Sequence, residues 1–237
     1  MSILRNAVFL AVIAGLFAGI VMTGLQTFFT VPLIVEAESY EAGGHGHTHG
    51  HGEAAHDHGG EAWAPADGAE RTVYTALANI VTGIGFALLL VAASELAGGI
   101  AGWRQGTIWG FAGFAVFTLA PGLGLPPELP AMPAADLFAR QVWWIGTVVA
   151  TAAGLALIAF KQRTAFAIIG LALIVVPHVI GAPQPDAYDS PVPAGLHHRF
   201  VVAVTITNLL FWVLLGVAVS FLRTRFTESL SARNSLA

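Results

Sequence analysis

Long apolar runs alternate with short polar breaks along most of the chain. Six runs stand out: Asn6–Ile34, Val73–Gly98, Gly106–Leu119, Gln141–Phe160, Ala165–Ile180 and Val201–Leu222. A helix needs roughly 20 predominantly apolar residues to cross a hydrocarbon core of about 30 Å, and the runs approach or exceed that length. The third and fifth are short and reach a proline, Pro121 and Pro177, where the helix is expected to end or to finish in irregular backbone shielded by protein. The first run follows Arg5 as a signal peptide would, but it continues past Phe28 without a small-x-small site and reads as an uncleaved span. The pattern predicts an all-α fold, a polytopic membrane helix bundle of six transmembrane helices arranged as three hairpins. Residues 1–237 form a single membrane domain, with a cytoplasmic tail over 223–237.

Composition agrees with the pattern. The chain is 56% hydrophobic and 10% charged, with a mean hydropathy of +0.73, whereas a soluble domain carries about a quarter charged residues. Membrane lipid is therefore the first partner, and nothing in the charge pattern suggests nucleic acid. There is no cysteine, so metal chemistry must use imidazole, carboxylate or backbone oxygen. The charges also set an orientation, because short cytoplasmic loops concentrate Lys and Arg. With the N-terminus inside, Arg5, Arg104, Lys161, Arg163, Arg223, Arg225 and Arg233 are cytoplasmic and only Arg71, Arg140 and Arg199 lie outside. Twelve of the fourteen acids fall outside, Glu228 lies inside, and Glu95 sits in or at the end of the second run. Both partitions give an even number of crossings with both termini cytoplasmic.

A weak repeat accompanies this layout. Each outward run ends near a proline (Pro32, Pro121 or Pro177), an acid follows (Glu36 and Glu38, Glu128, or Asp186), and an arginine opens the returning run (Arg71, Arg140 or Arg199). The repeat reads either as a triplicated hairpin or as the ordinary preference of these residues for helix ends. Gly15 with Gly19, and Gly110 with Gly113, mark places where helices pack closely.

Residues 36–70 form the one long polar segment, expected to be a flexible His-rich extracytoplasmic loop, disordered on its own for want of large apolar residues. It carries His45, His47, His49, His51, His56 and His58. Imidazole suits zinc, copper, nickel and cobalt, interspersed glycine lets several rings wrap one ion, and the surrounding acids raise the local cation concentration. The tract predicts metal collection more than metal selection. A second group of candidate ligands, His178, His197 and His198 with Asp186, flanks the last connection and forms a candidate mouth site. Interfacial histidines that merely bridge headgroups and water are the plainer alternative. Glu36, Glu38, Glu95, Glu128, Asp186 and Asn79 are candidates for an ion path, because polar groups at membrane depth are costly and tend to be retained for function. Uncharged Gln26, Asn79, Gln141 and Asn208 are equally suited to interhelical hydrogen bonds. No nucleophile elbow, zinc-protease helix or Walker A sequence is present, so an enzyme is not expected.

The stretch Leu125-Pro-Pro-Glu-Leu-Pro-Ala-Met-Pro-Ala-Ala-Asp-Leu-Phe-Ala-Arg-Gln-Val-Trp-Trp144 resembles the CbtA family of probable cobalt transporter subunits. So do Pro177-His-Val-Ile-Gly-Ala-Pro-Gln-Pro185 and the opening run into Pro32-Leu-Ile-Val-Glu-Ala-Glu38. The resemblance implies a bacterial cytoplasmic-membrane protein that imports Co2+ for cobalamin biosynthesis, working with a second subunit that is small, single-span and His-rich. The family is usually drawn with five spans, against the six read here. Three functions remain open on the residues alone: cobalt uptake, nickel or zinc (Ni2+ or Zn2+) transport, and a non-transporting membrane factor that holds a metal for a partner. A homo-oligomer also remains open.

Overall fold

A computed structural model describes residues 2–44, 65–66 and 68–234. The tract from His45 to His58 lies outside the described residues. Among the described residues seven helices follow one another: α1 (Ser2–Phe29), α2 (Val31–Gly44), α3 (Ala69–Leu96), α4 (Trp103–Gly124), α5 (Leu137–Phe160), α6 (Thr164–Ile180) and α7 (Ala194–Asn234). No strand occurs among the described residues. Residues 36–44, expected in the polar loop, belong to α2.

The all-helical expectation is met, but the span count differs. Among the described residues five helices, α1, α3, α4, α5 and α7, are long and apolar enough to cross a membrane, against six expected. The sixth segment forms α6, which has 17 residues and rises about 25 Å at 1.5 Å per residue. It is cut short by the polar Lys161–Arg163 break before it and by Gly181 after it, at φ 89°. Bulky apolar side chains such as Phe9, Leu77, Val149 and Leu171 cover the outside of the bundle, as a lipid-facing surface requires.

The three-hairpin arrangement is also corrected. α1 packs along α3, but α4 packs along α7 and α5 along α6, with α1 also against α7. Small residues choose these partners. Lipid tails are as apolar as the side chains they compete with, so helices in a bilayer associate where backbones can approach closely. A Cβ on Gly106 would lie 2.5 Å from the Gly216 carbonyl oxygen, and one on Gly154 would lie 2.5 Å from that of Gly170. Gly15 fits directly against the backbone of Gly83 and Ile84. Each of the three close pairs is thus a glycine contact, and two of the three join helices that a simple hairpin order keeps apart.

Pro121 and Pro177 do not end their helices. α4 contains a π turn, Ala115–Leu119, and Pro121 enters just after it, where the regular hydrogen-bond ladder is already broken and a missing N–H is tolerated. Pro177 lies inside α6. Its carbonyl accepts from the Gly181 N–H at 3.1 Å and from the Trp143 indole N–H at 3.3 Å, which ties α6 to α5. α5 itself starts on a side-chain cap, with the Ala139 N–H donating to Asp136 Oδ1 at 2.8 Å.

Two cores hold the bundle. The larger is built on the fully buried Ala11, Ala14, Ala18 and Leu215 with Trp212, which stacks on Phe117 at 5.4 Å and meets Phe86 at 4.7 Å. The smaller gathers Ala37, Leu129, Val192, Leu196 and Phe200. It seats α2 on the 125–136 connection and on the start of α7.

Candidate functional site

α2 crosses one end of the bundle and is held there by three carboxylates. Glu38 makes a two-pronged pair with Arg71 of α3, at 2.9 and 3.2 Å. Glu36 pairs with Arg199 of α7 at 3.3 Å. Glu41 Oε1 accepts the Ala131 N–H at 3.0 Å, at a residue whose φ of 63° is uncommon for a side chain with a Cβ. At the same end Glu128 pairs with Arg140 at 3.0 Å. All three arginines that open returning helices therefore meet acids, although Arg199 is matched with Glu36 rather than with Asp186, its counterpart in the sequence repeat.

Beneath α2, a cavity of about 270 Å³ opens between α1, α2, α3 and α7. Its polar lining is Gln26, Thr30, Arg71, Thr75, Thr207 and Asn208, with Val31, Ile34, Phe200 and Val204 supplying apolar walls. Three of the lining side chains turn back on their own backbone. Thr30 Oγ1 donates to the Gln26 carbonyl at 3.2 Å, Thr207 Oγ1 to the Ala203 carbonyl at 2.9 Å, and Asn208 Nδ2 to the Val204 carbonyl at 2.9 Å. Each of these three spends a donor on its own backbone, while the Gln26 amide NH2, the second Asn208 N–H and the Arg71 guanidinium leave the lining with donors as well as acceptors.

Below the cavity, Asn79 of α3 donates to Gln26 Oε1 at 2.7 Å and to Thr23 Oγ1 at 3.1 Å on α1. Asn79 thus serves an interhelical hydrogen-bond network rather than standing alone at depth. From Thr30 to Thr23 is seven residues, so polar groups reach about 10 Å down the helix axis. One turn deeper the space closes, because a Cβ on Gly19 would lie 2.6 Å from Ile80 Cα, and the Trp212 aromatic cluster fills the centre.

The other sequence candidates are dispersed. His178 sits in the last turn of α6 with its ring edge-on to Trp143, centroids 5.9 Å apart. His197 Nε2 is 3.1 Å from the Pro127 carbonyl and fastens α7 to the 125–136 connection. His198 and Asp186 are exposed. Among the described residues no three His, Asp or Glu side chains are grouped closely enough to hold one metal ion. Glu95 lies exposed at the opposite end, paired with Arg223 at 2.9 Å, and the same guanidinium donates to the Ile100 carbonyl at 2.7 Å.

Gln26, Asn79 and Asn208 are visible in the sequence as polar residues within apolar runs; Thr30, Thr75, Thr207 and Arg71 become their neighbours only in the fold. One sequence signal points towards them: Thr23, Gln26, Thr27 and Thr30 recur at helical spacing and mark a polar stripe along α1.

No curated protein and no solved structure matches the chain. A family model described as probable cobalt transporter subunit (CbtA) does, over residues 4–224. That span takes in α1, the cavity-lining residues and the aromatic core, and it leaves out only the extreme termini: the chain belongs to the CbtA family.

Proposed function

We propose that this protein is the membrane-embedded subunit of a divalent transition-metal uptake system, with cobalt as its cargo, used for cobalamin synthesis and passed on with a second, small subunit. The observation that carries this reading is the family match over residues 4–224, in a chain with five long apolar helices. In this reading the α2 end faces out of a bacterial cytoplasmic membrane and both termini lie in the cytoplasm. The charge pattern supports it, since Arg104, Lys161, Arg163, Arg223 and Arg225 gather at the end opposite α2. α6 is then the sixth crossing, with the bilayer thinned locally to meet its length. The histidine tract, which follows Gly44 at the end of α2, collects ions outside. An inside-negative potential draws them inward with about 2.3 kcal/mol per charge per 100 mV.

Two experiments test this. Uptake of radiolabelled cobalt, nickel and zinc into proteoliposomes, with and without the small partner co-reconstituted, addresses transport; entry of none of the three sinks the reading. Because the native chain has no cysteine, single cysteines introduced at Gln162 and Gln184 report topology through a membrane-impermeant maleimide. Labelling of the two from opposite sides is expected if α6 crosses, and labelling from one side removes the sixth span.

A second reading, a membrane factor that holds metal for a partner without moving it, draws on the aromatic packing of Trp212, Phe86 and Phe117 beneath the cavity. Binding that persists in protein unable to load proteoliposomes under any partner condition would favour it.

A further inference from the structure

We infer that the connection between α3 and α4, residues 97–102, is an inner gate of the bundle, latched shut by Arg223 and opened when that guanidinium withdraws. The inference rests on the uptake reading and its orientation, which put this connection at the cytoplasmic end, and it names the part that must move.

Three observations lead to it. The first is that one side chain fastens the connection at several points. Arg223 of α7 pairs with Glu95 in the last turn of α3 at 2.9 Å and donates to the Ile100 carbonyl at 2.7 Å. Its guanidinium also occupies the place where a Cβ on Gly99 would stand. Gly99 has φ 86°, a conformation that favours glycine, so the latch needs glycine there both for the backbone and for the space. The second observation is a plug. Ile100 is 2% exposed and belongs to the larger core with Leu10 and Val219, so the connection closes the end of the bundle instead of looping away from it.

The third is that the closure is balanced against itself. Arg223 and Glu95 side chains are 30% and 46% exposed, so water competes for their pairing. One turn inward on α7, Ser220 is 1% exposed and its hydroxyl has no hydrogen-bond partner in the protein. Gly106, in the first turn of α4, covers it: an added Cβ there would lie 2.6 Å from Ser220 Cβ. A buried hydroxyl without a partner disfavours the closed form, and opening returns it to water. An apolar residue at 220 would hold the same closure more firmly. The bundle thus has open space at the α2 end and a releasable latch at the other.

The test uses the absence of native cysteine. Ser220→Cys in the full chain is reconstituted into liposomes, with and without the small partner, and treated from each side in turn with a small, charged, membrane-impermeant methanethiosulfonate. Slow modification from the cytoplasmic side is expected. Adding Arg223→Gln should quicken it about tenfold, as one partly exposed ion pair and one hydrogen bond from a charged group are lost. Gly99→Ala, which keeps both charges but displaces the guanidinium, should quicken it as well. Cobalt(II), nickel(II) or zinc(II) on the outer side should quicken modification of the latched chain, a response that a fixed structural clamp would not give. Equal rates with and without Arg223→Gln, or a latched chain that none of these metals quickens, overturns the inference. Leu215→Cys, fully buried deeper on α7, should stay unmodified beside Arg223→Gln; if it reacts, that variant has unfolded and the metal response of the latched chain decides. Failure of the uptake reading is separate: proteoliposomes would then admit no metal while the metals still quickened modification at position 220.

Discussion

Gly110→Ala tests the least obvious feature of the fold, the pairing of α4 with α7. A methyl group at this position meets backbone only: the Trp212 carbonyl oxygen at 2.5 Å, Val213 Cα at 2.9 Å and Trp212 C at 3.0 Å. None of these is a side chain that can rotate away, so the helices must separate locally by about 1 Å to restore ordinary contact. A gap of that size forfeits a quarter to half of each affected dispersion well, and overpacking of this kind costs about 1–3 kcal/mol. Alanine's preference for helix offsets about 1 kcal/mol of it, leaving a net loss on the order of 1 kcal/mol. Gly146→Ala on α5 is the matched control, since its Cβ would have no heavy atom within 4 Å. It keeps the propensity gain and meets no clash, so it should stabilise by up to about 1 kcal/mol. Unfolding in mixed micelles by titrated SDS, followed by circular dichroism, measures both. If Gly110→Ala proves as stable as Gly146→Ala, α4 and α7 do not approach as closely as described and the pairing argument fails.

Other expectations follow from the α2 end. A double-mutant cycle on Glu38 and Arg71, unfolded in the same micelles, should give a coupling no larger than about 1 kcal/mol, and the more exposed Glu36–Arg199 pair should give less; a larger value for the exposed pair would contradict the geometry. Asp136→Ala removes the cap of α5 and should cost about 1 kcal/mol, which Asp136→Asn should largely restore; equal losses for both would mean that the cap hydrogen bond is unimportant. Deleting Gly44–His58 should raise the apparent KM for cobalt uptake while leaving transport measurable, and complete loss would make the tract essential rather than a collector.

The sequence already displayed the class of fold in its apolar runs, because a bilayer demands about 20 apolar residues per crossing whatever they touch. It also displayed the acids and arginines that meet at the α2 end, since charged groups at helix ends stand out against a 10% charged background. It misjudged Pro121 and Pro177 as helix ends, because local preference says nothing of the π turn before one or of the Trp143 tether on the carbonyl of the other. It suggested that His178 and His197 converge, and the structure gives them separate neighbours, Trp143 and Pro127.

What the chain determined by itself was one-dimensional: where helices run, which ends carry charge, and where ligand-type side chains accumulate. Only the tertiary structure decided which helix lies beside which. α4 meets α7 through Gly106, Gly110 and Gly216, far apart in sequence, because in lipid the energy of association comes from close backbone fit rather than from burying apolar surface. The cavity is a product of that choice. Its lining comes from α1, α2, α3 and α7, and only their packing brings those oxygens to one place.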